Sequence, residues 1–350
     1  MGRRFEPVWA HPYLHLIIAF HTYTFNMNKA NSWLITGGAG YIGAHIADLF
    51  LEDGKEVVIF DSLFNGLESR IDYLNEKHKK KIPLIVADIR DANEFTRALR
   101  EFKPQGIIHT AALKSVSESM EKPTEYFDVN SLATKQILEI MSSNRICNFI
   151  FSSTAAIYGS SMDSKPVKED DIKDPISPYG ASKLEAESEV NSFLGIPGNF
   201  GTSLRFFNVV GAASPALMDN SHDNLIPIVI NRIGQKLAPV IYGTDYPTPD
   251  GTCVRDYVDV RDIAMAHLLA ATSKSPLPRA MNVGRGHGYS VRQVVRLVSE
   301  FLDEGHTPPN EGARRSGDSA LLCADTELIE NQLGFSARYT LEDSLRDMLS

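Results

Sequence analysis

Short apolar runs alternate with amphipathic stretches through the first half of the chain. The apolar runs have the length of buried strands and lie at residues 32–36, 57–60, 83–87, 106–109 and 148–151. The stretches with helical spacing lie at residues 44–51, 93–102 and 123–143. Strands that alternate with helices predict an α/β fold whose core is a doubly wound parallel sheet.

The alternation becomes less regular after residue 208. A helical stretch at residues 224–235 is followed by a strand at residues 240–243. We therefore expect two units: a larger one over residues 28–207 and a smaller, mixed α/β one that accounts for most of residues 208–350. Residues 1–27 precede the first strand, and we expect them to be an unstructured or non-native extension.

The first predicted strand runs directly into three glycines, Gly37, Gly40 and Gly43, and a helical pattern follows. Glycine lets the backbone approach a pyrophosphate closely, and a helix N-terminus offers free N–H groups and a positive dipole end. The spacing is Gly-x-x-Gly-x-x-Gly rather than the commoner Gly-x-Gly-x-x-Gly. The strand–turn–helix context favours a Rossmann-type dinucleotide site, and the alternative is an ordinary glycine-rich turn.

The second and third predicted strands each end in an acidic residue. Asp61 follows the second strand, where a carboxylate accepts hydrogen bonds from a ribose 2′-hydroxyl and repels a 2′-phosphate. This position predicts selection of NAD over NADP, and the alternative is a helix or turn cap. Asp88 and Ile89 follow the third strand and are suited to the adenine edge.

A tyrosine and a lysine stand four residues apart, at Tyr179 and Lys183, just after Pro178. Proline can open a helix, and residues i and i+4 lie on one helix face, so both side chains can reach one ligand. A nearby ammonium favours the phenolate and lowers the pKa of a tyrosine from its usual value near ~10. The pair therefore predicts a general base for an alcohol substrate, and the alternative is a pair on a solvated helix face.

Four longer motifs indicate a known family. They occupy residues 113–119, 151–159, 205–208 and 242–257. With the glycine turn and the Tyr179/Lys183 pair, they make the chain similar to the extended short-chain dehydrogenases/reductases and, within them, to the UDP-glucose 4-epimerases. The resemblance extends from about residue 34 to the C-terminus, and the motif at 242–257 is its most specific part.

The resemblance implies reversible inversion at C4 of a UDP-hexose, UDP-glucose or UDP-galactose, with NAD held as a prosthetic group. Tyr179 would be the base, Lys183 would lower its pKa and bind the nicotinamide ribose, and Thr154 would bind the 4-oxygen. The implied NAD-binding residues are Gly37, Gly40, Tyr41, Ile42, Gly43, Asp61, Asn65, Gly66, Asp88, Ile89, Thr110, Ala111, Ala112, Lys114, Asn130, Tyr179, Lys183 and Phe207. The implied substrate-binding residues are Thr154, Asn208, Asn224, Leu225, Tyr242, Arg255, Arg315, Asp318 and Leu322.

Within the substrate set, the resemblance assigns Tyr242 to the uracil, Arg255 and Arg315 to the diphosphate, and Asp318 to the ribose hydroxyls. Guanidinium groups suit phosphate oxygens, although each residue has an alternative role in a structural salt bridge. The chain departs from the family pattern in three places: Ser316 replaces a Glu, Phe206 replaces a Tyr found in many members, and the loop at residues 212–223 is short. The last two affect the shape of the cleft.

Other activities stay open beside this one. A UDP-N-acetylhexosamine or UDP-pentose 4-epimerase would use the same chemistry, and Leu322 is smaller than the Tyr that excludes an N-acetyl group in this family. Nucleotide-sugar dehydratases and decarboxylases use proton-transferring residues after the Thr, whereas Ala155 and Ala156 stand here. An inactive NAD-binding regulator would have no need of Thr154, Tyr179 and Lys183 together.

The composition of the chain limits the kinds of partner it can bind and the cell compartment it suits. Lys and Arg number 35 against 44 acidic residues, and the net charge of −9 argues against a nucleic-acid surface. The three cysteines, Cys147, Cys253 and Cys323, are widely spaced, which fits a reducing cytoplasm and indicates no metal site. No apolar run reaches the ~20 residues of a membrane span. The resemblance implies a homodimer.

We predict that residues 1–26 are dispensable. They contain none of the family pattern, and the apolar run at residues 14–20 that imitates a signal peptide is interrupted by His15 and lacks a cleavage motif. Deleting them should leave the melting temperature and the activity unchanged in a side-by-side assay with the full chain. A drop of several degrees on deletion would show that the segment packs on the fold.

Overall fold

The computed structural model describes residues 31–159, 165–221, 224–302, 308–315 and 318–349. The predictions for residues 1–26 therefore lie outside the described residues. Elements are numbered in chain order.

The first part of the chain alternates strands and helices. Its elements are β1 (Ser32–Thr36), α1 (Tyr41–Glu52), β2 (Glu56–Asp61), α2 (Glu68–His78), β3 (Leu84–Val86), α3 (Ala92–Phe102), β4 (Gly106–His109), α4 (Val116–Glu121), α5 (Pro123–Phe127), α6 (Ala133–Ser143), β5 (Asn148–Thr154), α7 (Pro178–Leu194), β6 (Phe200–Phe206) and β7 (Asn208–Val210). A π-helical turn, Asp128–Leu132, joins α5 to α6.

The remaining elements are shorter and more mixed. They are α8 (Leu225–Gly234), β8 (Val240–Tyr242), β9 (Val254–Asp259), α9 (Val260–Thr272), β10 (Ala280–Val283), β11 (Gly288–Ser290), α10 (Val291–Phe301), β12 (Asn310–Gly312), β13 (Leu321–Leu322), α11 (Glu327–Leu333) and α12 (Leu341–Leu349).

A seven-stranded sheet forms the centre of the larger unit, in the order β10-β6-β5-β4-β1-β2-β3. Every neighbouring pair in it is parallel. The strand order reverses beside β1, which pairs with both β2 and β4. The predicted α/β fold with a doubly wound parallel sheet is confirmed.

Helices cover both faces of this sheet, so its strands are apolar on both sides. Alternate residues of β1 show the division: Trp33 and Ile35 pack in the cluster that includes α1 and α9, whereas Leu34 packs in the opposite cluster with α3, α6 and α7. Trp33 stacks edge-on against Phe50 of α1 at 5.9 Å. The unbroken apolar runs of the sequence follow from this double burial.

The second sheet centres on β9, which pairs in parallel with β7 and β13 and antiparallel with β11. A separate parallel pair joins β8 to β12.

The predicted boundary between the two units at residue 207 would divide the large sheet, because β10 lies after the boundary and pairs with β6, which lies before it. Helix α9 also lies after the boundary and packs against α1. Within the described ranges, the structure contains no apolar helix of membrane-spanning length.

The glycine turn is packed tightly against its surroundings. Gly37 has a positive φ of 69°, which favours glycine. A Cβ at Gly43 would lie 2.2 Å from the carbonyl oxygen of Gly37, a contact with backbone that no side-chain movement relieves. Gly43 therefore lets α1 begin directly against the turn that precedes it.

We expect Gly43→Ala to destabilise the fold by ~1–3 kcal/mol, the usual range for overpacking. The matched control is Gly234→Ala near the end of α8, where a Cβ would meet nothing within 4 Å. Urea unfolding of the two variants and the parent measures the difference. Equal stability of the two variants would contradict the inferred contact.

Candidate active site

The parallel sheet brings most of the predicted site residues to one edge. Asp61 and Thr154 end β2 and β5, and most other predicted residues of this unit follow the carboxyl ends of β1 to β6 or lie on α1 and α7. Asn130 is different, because it lies in the π-helical turn between α5 and α6. Parallel strands end at the same edge, and in doubly wound folds ligands bind outside it at the point where the strand order reverses. Here that point lies between β1 and β4.

The N-terminus of α1 faces this point without a side-chain cap. Gly40 is the N-cap residue and offers no side chain to the first-turn N–H groups, which include those of Ile42 and Gly43. A Cβ at Gly40 would meet only the carbonyl oxygen of Gly37, at 3.0 Å. Uncapped N–H groups and the helix dipole suit a pyrophosphate, so the turn fits a dinucleotide.

Asp61 lies at the end of β2 beside the glycine turn. Its Oδ2 accepts from the backbone N–H of Ala39 at 2.9 Å, and its Oδ1 accepts from that of Leu63 at 2.8 Å. Burial raises the pKa of this carboxyl, and these hydrogen bonds oppose the rise. A Cβ at Gly66 would lie 2.6 Å from Oδ1. Asp61 therefore caps backbone groups, the alternative role considered for it, at a place that also suits a ribose.

Two of the predicted NAD-binding residues, Asp88 and Asn130, have partners within the protein. Asp88 pairs with Arg90 at 2.6 Å, and the hydrogen bond from Arg90 lowers the pKa of this carboxyl. The Asn130 amide is fully used: it accepts from Leu113 N at 2.8 Å and donates to Leu113 O and to Ser182 Oγ. Asn130 thus orders the loop after β4 rather than presenting a free amide.

The structure places Tyr179 near Thr154, and Lys183 one turn further along the same helix. Ser177 caps α7 by accepting from Gly180 N at 3.1 Å, and Pro178 occupies the first turn. The hydroxyl of Tyr179 lies near that of Thr154 at the end of β5, close enough for Thr154 to oppose the rise in the pKa of the phenol. The Lys183 ammonium is buried one turn further along α7, 4.0 Å from the centre of the Phe151 ring.

The electrostatics of this group differ from the expectation. Burial raises the pKa of Tyr179, and Thr154 opposes the rise only in part. Burial also lowers the pKa of Lys183 to about 7, against the influence of Glu187. The expected lowering of the Tyr179 pKa is therefore not found, because burial of the phenol outweighs the influence of Thr154.

The first turn of α1 also holds the loop that follows β7. The Tyr41 hydroxyl donates to the carbonyl of Gly211 at 2.6 Å. His45 donates from Nδ1 to the carbonyl of Tyr41, and its Nε2 accepts from Ala213 N at 3.0 Å. Burial lowers the pKa of His45 to about 4, so the ring is neutral, as these two bonds require. Tyr41 thus contacts the protein through its hydroxyl.

The predicted substrate residues of the smaller unit form two pairs. Arg255 lies 3.4 Å from Asp318, and its side chain is mostly buried. The Arg315 guanidinium lies 4.2 Å from the centre of the exposed Tyr242 ring. The chain therefore places both predicted phosphate-binding arginines beside the residues predicted for the nucleoside.

Leu322 packs near the catalytic group. It is buried in a small apolar cluster with Ala155 and Phe207, the residues that follow Thr154 and Phe206. Leu322 thus shares a cluster with the residue after Thr154, and its part in admitting or excluding an N-acetyl group of the substrate stays a prediction.

Two acidic residues that contact predicted site residues or their neighbours, Asp219 and Glu187, were not predicted from the sequence. Asp219 accepts from Asn224 Nδ2 at 2.5 Å and lies 3.8 Å from Lys114 Nζ, so it joins a predicted substrate residue to a predicted cofactor residue. Glu187 binds Arg205 and Ser153. Glu187 stands four residues after Lys183, a spacing visible in the sequence, whereas no local pattern singles out Asp219.

Among the described residues, no cluster of His, Cys, Asp or Glu is arranged to hold a metal.

Comparison with known proteins assigns this site to a family. Residues 34–348 match the family model described as GDP-mannose 4,6 dehydratase. The chain is 38% identical over 315 residues to the UDP-glucose 4-epimerase of Corynebacterium glutamicum, which covers 88% of this chain and 91% of the relative. The chain belongs to the UDP-glucose 4-epimerase family. The resemblance inferred from the sequence motifs is confirmed.

Solved structures of this family share the fold. The UDP-glucose 4-epimerase of Stenotrophomonas maltophila, with bound NAD and formylated UDP-arabinopyranose, matches with a TM-score of 0.85 at 34% identity and covers 91% of this chain and 96% of its own. The UDP-Glc/GlcNAc 4-epimerase of Campylobacter jejuni matches with a TM-score of 0.80 at 32% identity, covering 91% and 98%. Members of the family thus differ in the sugars named for them.

Proposed function

We propose that this enzyme, an NAD-dependent epimerase of the family, interconverts UDP-glucose and UDP-galactose by inversion at C4. The observation that supports this most directly is that the Tyr179 hydroxyl lies near the Thr154 hydroxyl, with Lys183 one helical turn further along α7. Because the Thr154 hydroxyl and the Tyr179 phenol lie near each other, both can hydrogen-bond to the oxygen of one substrate hydroxyl group.

Each residue of this group has a distinct part in the proposed reaction. NAD, when bound, takes up and returns the C4 hydride. Tyr179, as phenolate, accepts the proton of the 4-hydroxyl and later returns it, while Thr154 donates a hydrogen bond to the same oxygen. The structure shows no lowering of the Tyr179 pKa by Lys183. In the proposed reaction Lys183, while protonated, has the part of favouring the phenolate, since an opposite charge favours the ionised form. Because burial brings the pKa of Lys183 to about 7, this support weakens as the pH rises above neutrality.

The residues proposed for NAD follow the same edge of the sheet. The uncapped α1 N-terminus would hold the pyrophosphate and Asp61 the adenosine ribose. On the smaller unit, Arg255 and Arg315 would hold the diphosphate of the substrate, Tyr242 the uracil and Asp318 the ribose. These assignments are supported by the residue chemistry and by the two pairs, Arg255 with Asp318 and Arg315 with Tyr242.

Elimination or decarboxylation is a weaker candidate, although the matching family model takes its description from a dehydratase. Ala155 and Ala156, directly after Thr154, have no group that transfers protons. We also propose that the enzyme works in galactose metabolism, as a homodimer, in the cytoplasm. The cysteines Cys147, Cys253 and Cys323 are all free thiols in the structure, which agrees with a reducing compartment.

A panel of UDP-sugars assayed without added cofactor tests the proposed function. The 4-epimer of UDP-glucose or UDP-galactose should form, since bound NAD is neither consumed nor released. Purified protein should also show slow growth of absorbance at the NADH band after a UDP-sugar is added. Absence of any 4-epimer, from protein shown to contain NAD, would overturn the proposal.

We expect Tyr179→Phe to lower kcat by at least ~10²-fold, the usual scale for a general base, and to leave NAD bound. The aromatic ring is retained and still packs edge-on against Tyr126, at 6.4 Å between centroids, so only the proton acceptor is lost. Turnover of UDP-galactose and the NAD content of the purified variant are the measurements. Near-normal turnover would exclude Tyr179 as the base.

A UDP-N-acetylhexosamine 4-epimerase is the second candidate, favoured by Leu322. Leucine leaves more room beside Ala155 than tyrosine would, and the Campylobacter jejuni relative is a UDP-Glc/GlcNAc 4-epimerase. We expect measurable turnover of UDP-N-acetylgalactosamine by the parent and its selective loss in Leu322→Tyr. The change in discrimination should correspond to ~1–3 kcal/mol, the value of small steric differences in a pocket. A ratio unaltered by Leu322→Tyr would show that this residue does not limit the pocket.

A further inference from the structure

Glu187 is a buried carboxylate that joins three elements, and only 2% of its surface is exposed. Ser153 of β5 donates its hydroxyl to Oε1 at 2.5 Å. Arg205 of β6 donates from Nε to Oε1 at 3.0 Å and from Nη2 to Oε2 at 2.7 Å. One side chain of α7 is thus bonded to two adjacent strands of the sheet.

Each of these elements leads into the active site. Ser153 directly precedes Thr154, Lys183 lies one turn before Glu187 on α7, and Arg205 is followed two residues later by Phe207. We propose that Glu187 is a positioning residue for the reaction, which fixes Thr154 relative to Lys183 and Tyr179. The proposal rests on the proposed function and adds a residue to it.

The pairing of Arg205 alone does not account for these contacts. Arg205 also donates from Nη1 to the Tyr158 hydroxyl at 2.8 Å and to the carbonyl of Glu169 at 2.9 Å. The bond from Ser153 to Glu187 is not required to neutralise Arg205. It connects the carboxylate to the residue that precedes Thr154. A buried hydrogen bond to a charged group restricts geometry more than a neutral one does.

The electrostatic surroundings point the same way. Glu187 is the group that opposes the lowering of the Lys183 pKa by burial. The other titratable groups around Glu187 and Lys183 are Arg205 on β6, Tyr158 after β5, Glu169 and Lys173 in the segment before α7, and His109 on β4. Burial lowers the pKa of His109 to about 3, so that ring adds no charge near neutral pH.

The first test compares two neighbouring serines of β5 in the holoenzyme. Ser153→Ala removes the bond to Glu187, whereas Ser152→Ala removes an equally buried bond to His267 Nε2, 2.9 Å long, on the other face of the strand. We expect Ser153→Ala to lower kcat by ~10-fold to 10²-fold with an unchanged KM, since small displacements of catalytic groups have effects of this size. Ser152→Ala should lose thermal stability but keep its kcat.

The second test uses the pH dependence of kcat. Glu187→Gln keeps the shape, because the amide oxygen can accept from Arg205 while the amide nitrogen donates to Ser153, but it removes the negative charge. The pKa of Lys183 should then fall further, so the loss of kcat on raising the pH should begin at a lower pH than in the parent. Glu185→Gln, an exposed neighbour on α7, is the control and should match the parent.

The NAD content and melting temperature of every variant are measured beside its activity. Equal kcat in Ser153→Ala and Ser152→Ala, or an unmoved alkaline limb in folded Glu187→Gln, overturns the positioning role. If Glu187→Gln does not fold, the two serine variants decide the question. A parent enzyme inactive on every UDP-sugar would instead refute the proposed function, so the two failures are distinguishable.

Discussion

The parallel pairing of the seven-stranded sheet is the constraint on which the rest of the site depends. Each strand runs in the same direction, so each ends at the same edge, and residues far apart in the sequence meet there. Thr36, Asp61, His109 and Thr154 all end strands at this edge. The glycine turn, the Tyr179 helix and Phe207 become neighbours only because the ladders between the strands are in register.

The sequence was sufficient for the parts of this arrangement that depend on local pattern. β1 and β4 begin and end where the apolar runs do, and Pro178 opens α7 as predicted. It did not reveal the π-helical turn at Asp128–Leu132, where the buried Asn130 amide bonds to Leu113 and Ser182. It also did not place β10 in the large sheet, because pairing between distant strands has no signature in either strand alone.

The sequence predicted which residues lie near one another at the site better than it predicted their pKa values. Tyr179 lies near Thr154, and Lys183 follows one helical turn later, as the spacing predicted. Burial nevertheless raises the pKa of Tyr179 and lowers that of Lys183, and both shifts disfavour a phenolate–ammonium pair. A sequence shows that two groups can be neighbours, but it does not show how much water surrounds them. Asp219, which contacts Asn224 and Lys114, and the buried Glu187, which bonds Ser153 and Arg205, were missed because these contacts join residues that are distant in the sequence.

Because β10 is an edge strand of the large sheet but lies late in the sequence, the sheet can be completed only late in synthesis. Ser203 of β6 pairs with Ala280 of β10, so the outer edge of β6 has no partner until most of the chain has left the ribosome. At ~5–20 residues per second, the intervening segment takes several seconds to emerge. During that time an unpaired parallel edge containing Leu204 is open to other chains, which is the usual route to edge-to-edge aggregation. Nascent chains that end before β10 should therefore depend more on chaperones than chains that include it.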